Sequence, residues 1–144
     1  MSEFETEIRV RSYELDSLGH VNHAVYLNYL EQARYDALTA GGLPAAVIRE
    51  RGWGVYVVRV EIDYHRECFH EQLLRVTTVV EEFRKASMII RQQIRRVDDG
   101  PQADPAVTAR IALVWVGEGG RPMRVPAEAR AALAPGSTPD EGQK

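Results

Sequence analysis

A carboxylate and two histidines stand close together near the N-terminus, and residues of these types can support hydrolysis or acyl transfer. Asp16 lies in a short turn that contains Gly19, and His20, Asn22 and His23 follow it. Taken alone, a turn acid such as Asp16 more often only shapes its loop, as in an Asx turn. A helical pattern begins directly after these residues, and the start of a helix offers unpaired amide donors and a partial positive charge. An acid beside such donors suits acyl transfer, because the amides can stabilise a developing oxyanion.

The helix that follows this turn is predicted from about Ala24 to Ala40. Asn22 is a candidate N-cap, because its side-chain oxygen can accept an unpaired amide of the first turn. The pair Gly41-Gly42 supplies the stop signal. Apolar residues at helical spacing predict the buried face, and they are Tyr26, Tyr29, Leu30, Ala33 and Ala37.

The stretch from Tyr13 to Asp36 resembles the hotdog-fold acyl-CoA thioesterases of the 4-hydroxybenzoyl-CoA thioesterase type, especially their bacterial long-chain acyl-CoA branch. The matching pattern is an Asp, a short Gly-bearing turn, His-Val-Asn, Tyr-Leu at 26–27 and Leu-Glu-x-Ala-Arg at 30–34. Element order extends the likeness over most of the chain. The resemblance implies hydrolysis of a fatty-acyl or aryl-acyl thioester to a free acid and CoA, with no metal or redox cofactor.

The resemblance also implies roles for individual residues. Asp16 would be the catalytic carboxylate, as nucleophile or general base, and the His23 backbone amide would polarise the thioester carbonyl. The His23 side chain is either an active imidazole or a solvent-facing first-turn residue. The residues expected to fix the loop, cap the helix or contact substrate are Gly19, His20, Asn22 and Tyr26.

A second group is expected to hold the nucleotide end of CoA. Arg84 and Lys85 lie in a predicted turn, and Ser87 begins the strand after it. Arg and Lys suit phosphate groups, and the resemblance places nucleotide contacts near this turn. An ordinary solvated turn is an equal alternative. Glu31 is a candidate second carboxylate on the helix, with pairing to a neighbouring Arg as the alternative.

Other chemistries fit the sequence less well. Asp16, His20 and His23 have no further convergent ligand, and His65 should face away from Cys68 and His70 on a strand, so no metal site is predicted. No Gly-x-Ser-x-Gly elbow and no phosphate-binding Gly-rich loop are present. The remaining alternatives are an acyl-carrier-protein thioesterase, a hotdog hydratase or dehydratase, whose loops this chain lacks, and a non-catalytic acyl-binding protein.

Composition indicates one domain, expected at 1–134, with a flexible tail at 135–144. The 144 residues are 44% hydrophobic and carry a net charge of −3, which gives no case for nucleic acid or membrane as a partner. A single cysteine excludes an internal disulfide and fits a reducing compartment. The N-terminus lacks an apolar signal core. These features predict a cytoplasmic protein.

Alternation or β-branched content predicts five strands, which are Phe4–Tyr13, Trp53–Glu67, Glu71–Phe83, Ser87–Val97 and Ala106–Val116. The last is apolar on both faces, so it should be a central strand covered on both sides. Short helices are expected at Pro44–Arg51 and Pro126–Leu133. One long helix on an antiparallel sheet makes an α+β fold, and the hotdog fold has this arrangement, with the helix wrapped by the sheet. The uncovered apolar surface predicts a homo-oligomer, a dimer or a dimer of dimers.

Overall fold

A five-stranded antiparallel sheet packs on one long helix. The computed structural model describes residues 3–134. The strands are β1 (Phe4–Arg9), β2 (Gly54–Tyr64), β3 (Leu73–Phe83), β4 (Ser87–Arg96) and β5 (Val107–Val116). Their order across the sheet is β1-β3-β4-β5-β2, and every neighbouring pair is antiparallel. This confirms the predicted α+β hotdog fold.

The long helix α1 (Val25–Ala40) buries the face predicted from its spacing, together with Leu38. It ends at a glycine, as expected. Gly42 has a φ of 89°, and the Leu43 N–H donates to the Leu38 carbonyl at 2.8 Å. This left-handed residue and its six-to-one hydrogen bond form a Schellman motif, which a residue with a Cβ would strain. Two short helices follow, α2 (Ala45–Glu50) and α3 (Ala127–Leu133).

A buried glutamine ties α1 to the middle of the sheet. Gln92 on β4 is fully buried, and its Nε2 donates to the Leu30 carbonyl and to Thr78 Oγ1, both at 3.0 Å. Its Oε1 accepts a hydrogen bond from Arg34 Nη1 at 3.0 Å. A buried amide is stable only when its polar atoms are satisfied, so these bonds fix how the helix sits on the sheet.

Two sequence predictions about strands are wrong in detail. β1 ends at Arg9 rather than Tyr13, because Ser12–Glu14 forms a turn of 3₁₀ helix. β5 is not covered on both faces. Its Thr108 is half-buried and Arg110 is exposed, since α1 covers one face only, as is common for antiparallel sheets. The expected tail at 135–144 lies outside the described residues.

The edge strand β2 is more exposed than its alternating pattern suggests. Tyr56 is 60% exposed and Val58 is 62% exposed. A β-bulge between Val57 and Arg59 leaves Val58 without a partner on β5. At the start of this strand the rings of Trp53 and Trp115 meet edge to face at 5.9 Å. Among the described residues, none of the helices has the length and apolar character needed to cross a membrane.

Candidate active site

A cleft of about 570 Å³ opens where β2 ends and α1 begins. Three segments form it: the turn before the helix, the start of the helix and the chain just after β2. Its lining residues are Asp16, His20, Val21, His23, Tyr26, Tyr64, His65, Arg66 and Glu67. The structure thus brings Asp16, His20, His23 and Tyr26 together, whereas Gly19 and Asn22, which were also expected at the site, are not among the lining residues.

The Asp16 turn is held by a compact set of hydrogen bonds. The Asp16 N–H donates to the His20 carbonyl at 2.8 Å, and the Gly19 N–H donates to the Asp16 carbonyl at 3.1 Å. One carboxylate oxygen, Oδ1, accepts the Leu18 N–H at 2.9 Å. Gly19 has a φ of 89°, which L-residues rarely adopt. The turn therefore fixes the Asp16 carboxylate, while its second oxygen remains directed toward His20.

His20 lies between two carboxylates in the cleft. Its Nδ1 is 3.6 Å from Asp16 Oδ2 and 3.3 Å from the Val21 carbonyl, and its Nε2 is 3.3 Å from Glu67 Oε2. The edge of the ring also packs on Phe69. The predicted loop-fixing role of His20 agrees with this position, and the ring links the Asp16 turn to the segment after β2.

One backbone amide at the start of the helix is unpaired, and it belongs to His23, a residue that lines the cleft. The Asn22 side-chain oxygen accepts the Ala24 N–H at 2.9 Å, and the Asn22 carbonyl accepts the Val25 N–H at 2.9 Å. The predicted N-cap is thus displaced: Asn22 closes the turn before α1, and Ala24 occupies the N-cap position without a side-chain bond. Among the hydrogen bonds of residues 3–134, the His23 N–H has no acceptor. That amide is available to a bound oxyanion.

Tyr26 lines the cleft and lies beside the buried thiol of Cys68. Tyr26 is 3% exposed, and Cys68 is the neighbour that acts on its hydroxyl. Burial raises the pKa of Tyr26, and Cys68 raises it further, so the hydroxyl stays protonated. Burial also raises the pKa of the Cys68 thiol, against opposing effects of Tyr26 and Arg96. The free Cys68 is therefore unsuited to act as a nucleophile.

Glu14 is a buried carboxylate that was not predicted from the sequence, and its hydrogen bonds support the Asp16 turn. Glu14 Oε1 accepts hydrogen bonds from the Tyr29 hydroxyl at 2.7 Å and from the Arg11 N–H at 2.8 Å. Burial alone would raise the pKa of Glu14, but these bonds and the Arg11 guanidinium outweigh it, so the pKa is lowered. The Glu14 carbonyl accepts the Asn22 N–H at 2.9 Å. Glu14 thereby joins the turn to α1.

The residues expected to bind the nucleotide lie far from this cleft within one subunit. Ser87 at the start of β4 pairs with Val114 of β5. Ile94, near the other end of β4, pairs with Val107, and Val107 also pairs with Tyr64 at the cleft. At ~3.3 Å per residue, the turn at 84–85 is about 25–30 Å from the cleft along the strands. Arg84 Nε donates to Glu82 Oε2 at 2.9 Å, and in the described part of the chain Lys85 has no ion pair. Glu31 also lies outside the cleft, in a separate groove beside Arg34.

Five lining residues were not predicted as site residues: Val21, Tyr64, His65, Arg66 and Glu67. The alternating pattern of β2 includes Tyr64, but nothing in that pattern showed that this end of the strand meets His23. Within the described range, no group of three or more His, Cys, Asp or Glu side chains has the geometry to hold a metal ion.

The chain is similar to known thioesterases in sequence. The family described as the thioesterase-like superfamily matches residues 10–133. The long-chain acyl-CoA thioesterase FadM of Escherichia coli is 33% identical over 105 residues, which cover 72% of this chain and 79% of FadM. The chloroplastic acyl-acyl carrier protein thioesterase ATL2 of Arabidopsis thaliana is 28% identical over 126 residues, or 88% of this chain. The chain spans 65% of the length of ATL2.

The fold is also similar to that of solved thioesterases. The structure of Slr0204, a 1,4-dihydroxy-2-naphthoyl-CoA thioesterase from Synechocystis, superposes with a TM-score of 0.84. The match covers 96% of this chain and 100% of that one at 17% sequence identity, so it bears on the fold alone. Together with the family match over 10–133, these findings confirm the resemblance carried by the Asp16 motif: the chain belongs to the thioesterase-like superfamily.

Proposed function

We propose that this protein is an acyl-CoA thioesterase that hydrolyses a fatty-acyl or aryl-acyl thioester to a free acid and CoA. The observation that carries the proposal is the cleft itself, which Asp16 and His23 line together: the turn fixes the Asp16 carboxylate, and the His23 N–H is unpaired among residues 3–134. Thioester hydrolysis needs an attacking oxygen and a donor for the carbonyl oxygen as it becomes negative. FadM, which is similar to this chain, is named for the same reaction.

Two routes use these groups. As a general base, Asp16 takes a proton from water, the hydroxide oxygen bonds to the carbonyl carbon, and the C–S bond breaks to release CoA thiolate. As a nucleophile, Asp16 bonds to the carbonyl carbon, expels CoA thiolate and leaves a mixed anhydride that water then hydrolyses. In both routes the His23 N–H donates to the carbonyl oxygen, and no metal or redox cofactor takes part.

The test is a turnover assay on a panel of acyl-CoA thioesters with a thiol reagent that reports released CoA. We expect steady release that depends on acyl group and on enzyme concentration. A protein that binds acyl-CoA without releasing thiol would instead be a non-catalytic acyl-binding protein, and the proposal would fail.

An acyl-carrier-protein thioesterase is the second candidate, and the similarity to ATL2 favours it. The same acyl group carried by CoA and by acyl carrier protein separates the two functions. A higher kcat/KM on the protein carrier would replace the CoA assignment. A cytoplasmic location is proposed with either activity, because the lone, unpaired Cys68 suits a reducing compartment.

We also propose that two subunits join through β2. This edge strand has free backbone donors and acceptors, and it exposes an apolar surface made of Tyr56, Val57, Val58 and Val60. Such an edge invites pairing with another strand. Light scattering that finds a monomer stable to dilution would exclude this assembly.

Antiparallel joining of two β2 strands would bring the nucleotide residues to the cleft. In this arrangement the end of β2 that carries Tyr64 lies beside the opposite end of the partner's β2. The turn of the partner subunit's Arg84 then lies at the same end of the joined sheet as the Asp16 cleft. Three to four strand spacings of ~4.8 Å separate them, or about 15–20 Å. This supports a nucleotide site made by Arg84, Lys85 and Ser87 across the interface.

A further inference from the structure

The Tyr64 side chain reaches from the end of β2 to the turn before α1. Its hydroxyl donates to the His23 carbonyl at 2.8 Å. The ring packs against Tyr26 with centroids 5.5 Å apart, and it lines the cleft. The Leu27 N–H donates to the Ala24 carbonyl at 3.2 Å rather than to the His23 carbonyl. The His23 carbonyl therefore receives its hydrogen bond from Tyr64, which lies outside the helix.

Both peptide groups that flank His23 are held in place. The one before it is fixed at its carbonyl, where Asn22 O accepts the Val25 N–H. The one after it is fixed at both ends, because Tyr64 donates to the His23 carbonyl and Asn22 Oδ1 accepts the Ala24 N–H. The remaining polar group of these two peptides is the His23 N–H, which has no acceptor among the described residues.

We infer that Tyr64 is a positioning residue for the oxyanion donor: its hydroxyl holds the turn so that the His23 N–H points into the cleft. The inference rests on the proposed thioesterase function. Preorganised donors stabilise a transition state because they need no reorganisation as charge develops. A turn released on one side would sample other orientations, and the N–H would meet the oxyanion less often. Binding of the uncharged ground-state carbonyl would change much less.

The hydroxyl can be removed without removing the ring. Tyr64→Phe keeps the packing against Tyr26 and deletes one hydrogen bond. Burial raises the pKa of Tyr64, so the group is a protonated donor at neutral pH in the parent protein. Tyr35→Phe is the matched control, since Tyr35 lies on α1 outside the cleft, is 46% exposed and makes no side-chain hydrogen bond in the described structure.

The experiment measures kcat and KM on one acyl-CoA together with amide hydrogen exchange over residues 20–27. For Tyr64→Phe we expect kcat to fall about 3- to 10-fold, the scale of one net hydrogen bond, with KM within about twofold. Exchange at Ala24 and Val25 should become faster. Tyr35→Phe should match the parent in all three quantities.

Two other outcomes would overturn the inference. Parental kcat in Tyr64→Phe would show that the hydroxyl does not position the donor. Equal changes in kcat and KM with a lower melting temperature would show a general structural role. If the parent protein releases no thiol from any acyl-CoA, the proposed function fails, whereas the exchange measurement still reports separately whether Tyr64 restrains the turn.

Discussion

The two ends of the sheet present polar groups in different ways. At the Asp16 end, side-chain and backbone bonds from three segments fix a carboxylate and an amide around one cleft. At the other end, Arg84 forms an ion pair with Glu82, and both of these side chains are exposed. The Arg84 carbonyl accepts a hydrogen bond from Arg130 at 2.6 Å. The first end is preorganised for a reaction. The second end offers exposed charge, and Arg84, Lys85 and Ser87 do not line the Asp16 cleft.

Removal of the Asp16 charge should have the largest effect. Asp16→Asn keeps the size of the side chain but removes the base or nucleophile, and we expect kcat to fall by about 10²–10⁴-fold. Circular dichroism should show an unchanged fold. Asp63→Asn is the control, because Asp63 is an exposed acid on β2 outside the cleft. Near-normal turnover in Asp16→Asn would move the chemistry to another group.

The contribution of the Glu14 hydrogen bonds can be tested by measuring stability. Glu14→Gln weakens the bonds to Tyr29 and Arg11 and should cost about 1–3 kcal/mol in the free energy of unfolding at pH 7. The pKa of Glu14 is lower in the folded protein than in the unfolded chain. Its contribution is therefore complete above the unfolded value and is lost as pH falls through the folded value.

Urea unfolding from pH 7 to pH 3 checks this sign. The stability difference between the parent and Glu14→Gln should shrink as the solution becomes acidic. Glu50→Gln, the same substitution at an exposed helical position, is the control for its effect on stability at each pH. A difference that grows toward low pH would contradict the lowered pKa of Glu14.

The turn at the far end should give a smaller and more selective effect. We expect Arg84→Ala/Lys85→Ala to raise KM for an acyl-CoA by about 3- to 10-fold with little change in kcat, since exposed charge contacts are weak. The effect should decrease as salt rises. A short pantetheine thioester with the same acyl group lacks the nucleotide and should be hydrolysed normally.

Mixed dimers show which subunit supplies the turn. One subunit carries Asp16→Asn and the other carries Arg84→Ala/Lys85→Ala. If the turn acts across the interface, one site keeps both an intact Asp16 and an intact turn, so half of the activity should remain at the parental KM. A raised KM in the mixed dimer would show that the turn serves the cleft of its own subunit. That result would contradict the separation of about 25–30 Å between them along the strands.

The sequence predicted what local patterns encode. Helical spacing gave the buried face of α1, and Gly42 gave its end. The Asp16, His20 and His23 of the short motif line one cleft because a tight turn leads directly into the helix, whereas their chemical roles remain predictions. The family followed from the same motif.

Long-range features were not predictable in this way. Glu67 and Tyr64 reach the cleft because β2 ends beside the start of α1, and this depends on strand order rather than on neighbouring residues. The same limit applies to β5, where an apolar pattern predicted two covered faces but Arg110 is exposed. A pattern shows that a face is apolar; what covers it depends on the other elements and on assembly.

The edge-to-face pair of Trp53 and Trp115 has a practical consequence for spectroscopy. The chain contains two tryptophans, and both lie in this pair at the end of β2 opposite Tyr64. Trp115 is fully buried, so its emission responds to solvent only when the core opens. Intrinsic fluorescence should therefore follow unfolding and remain nearly unchanged when a ligand enters the Asp16 cleft. A tryptophan introduced at Phe69, beside His20, would add a signal for occupancy of the cleft.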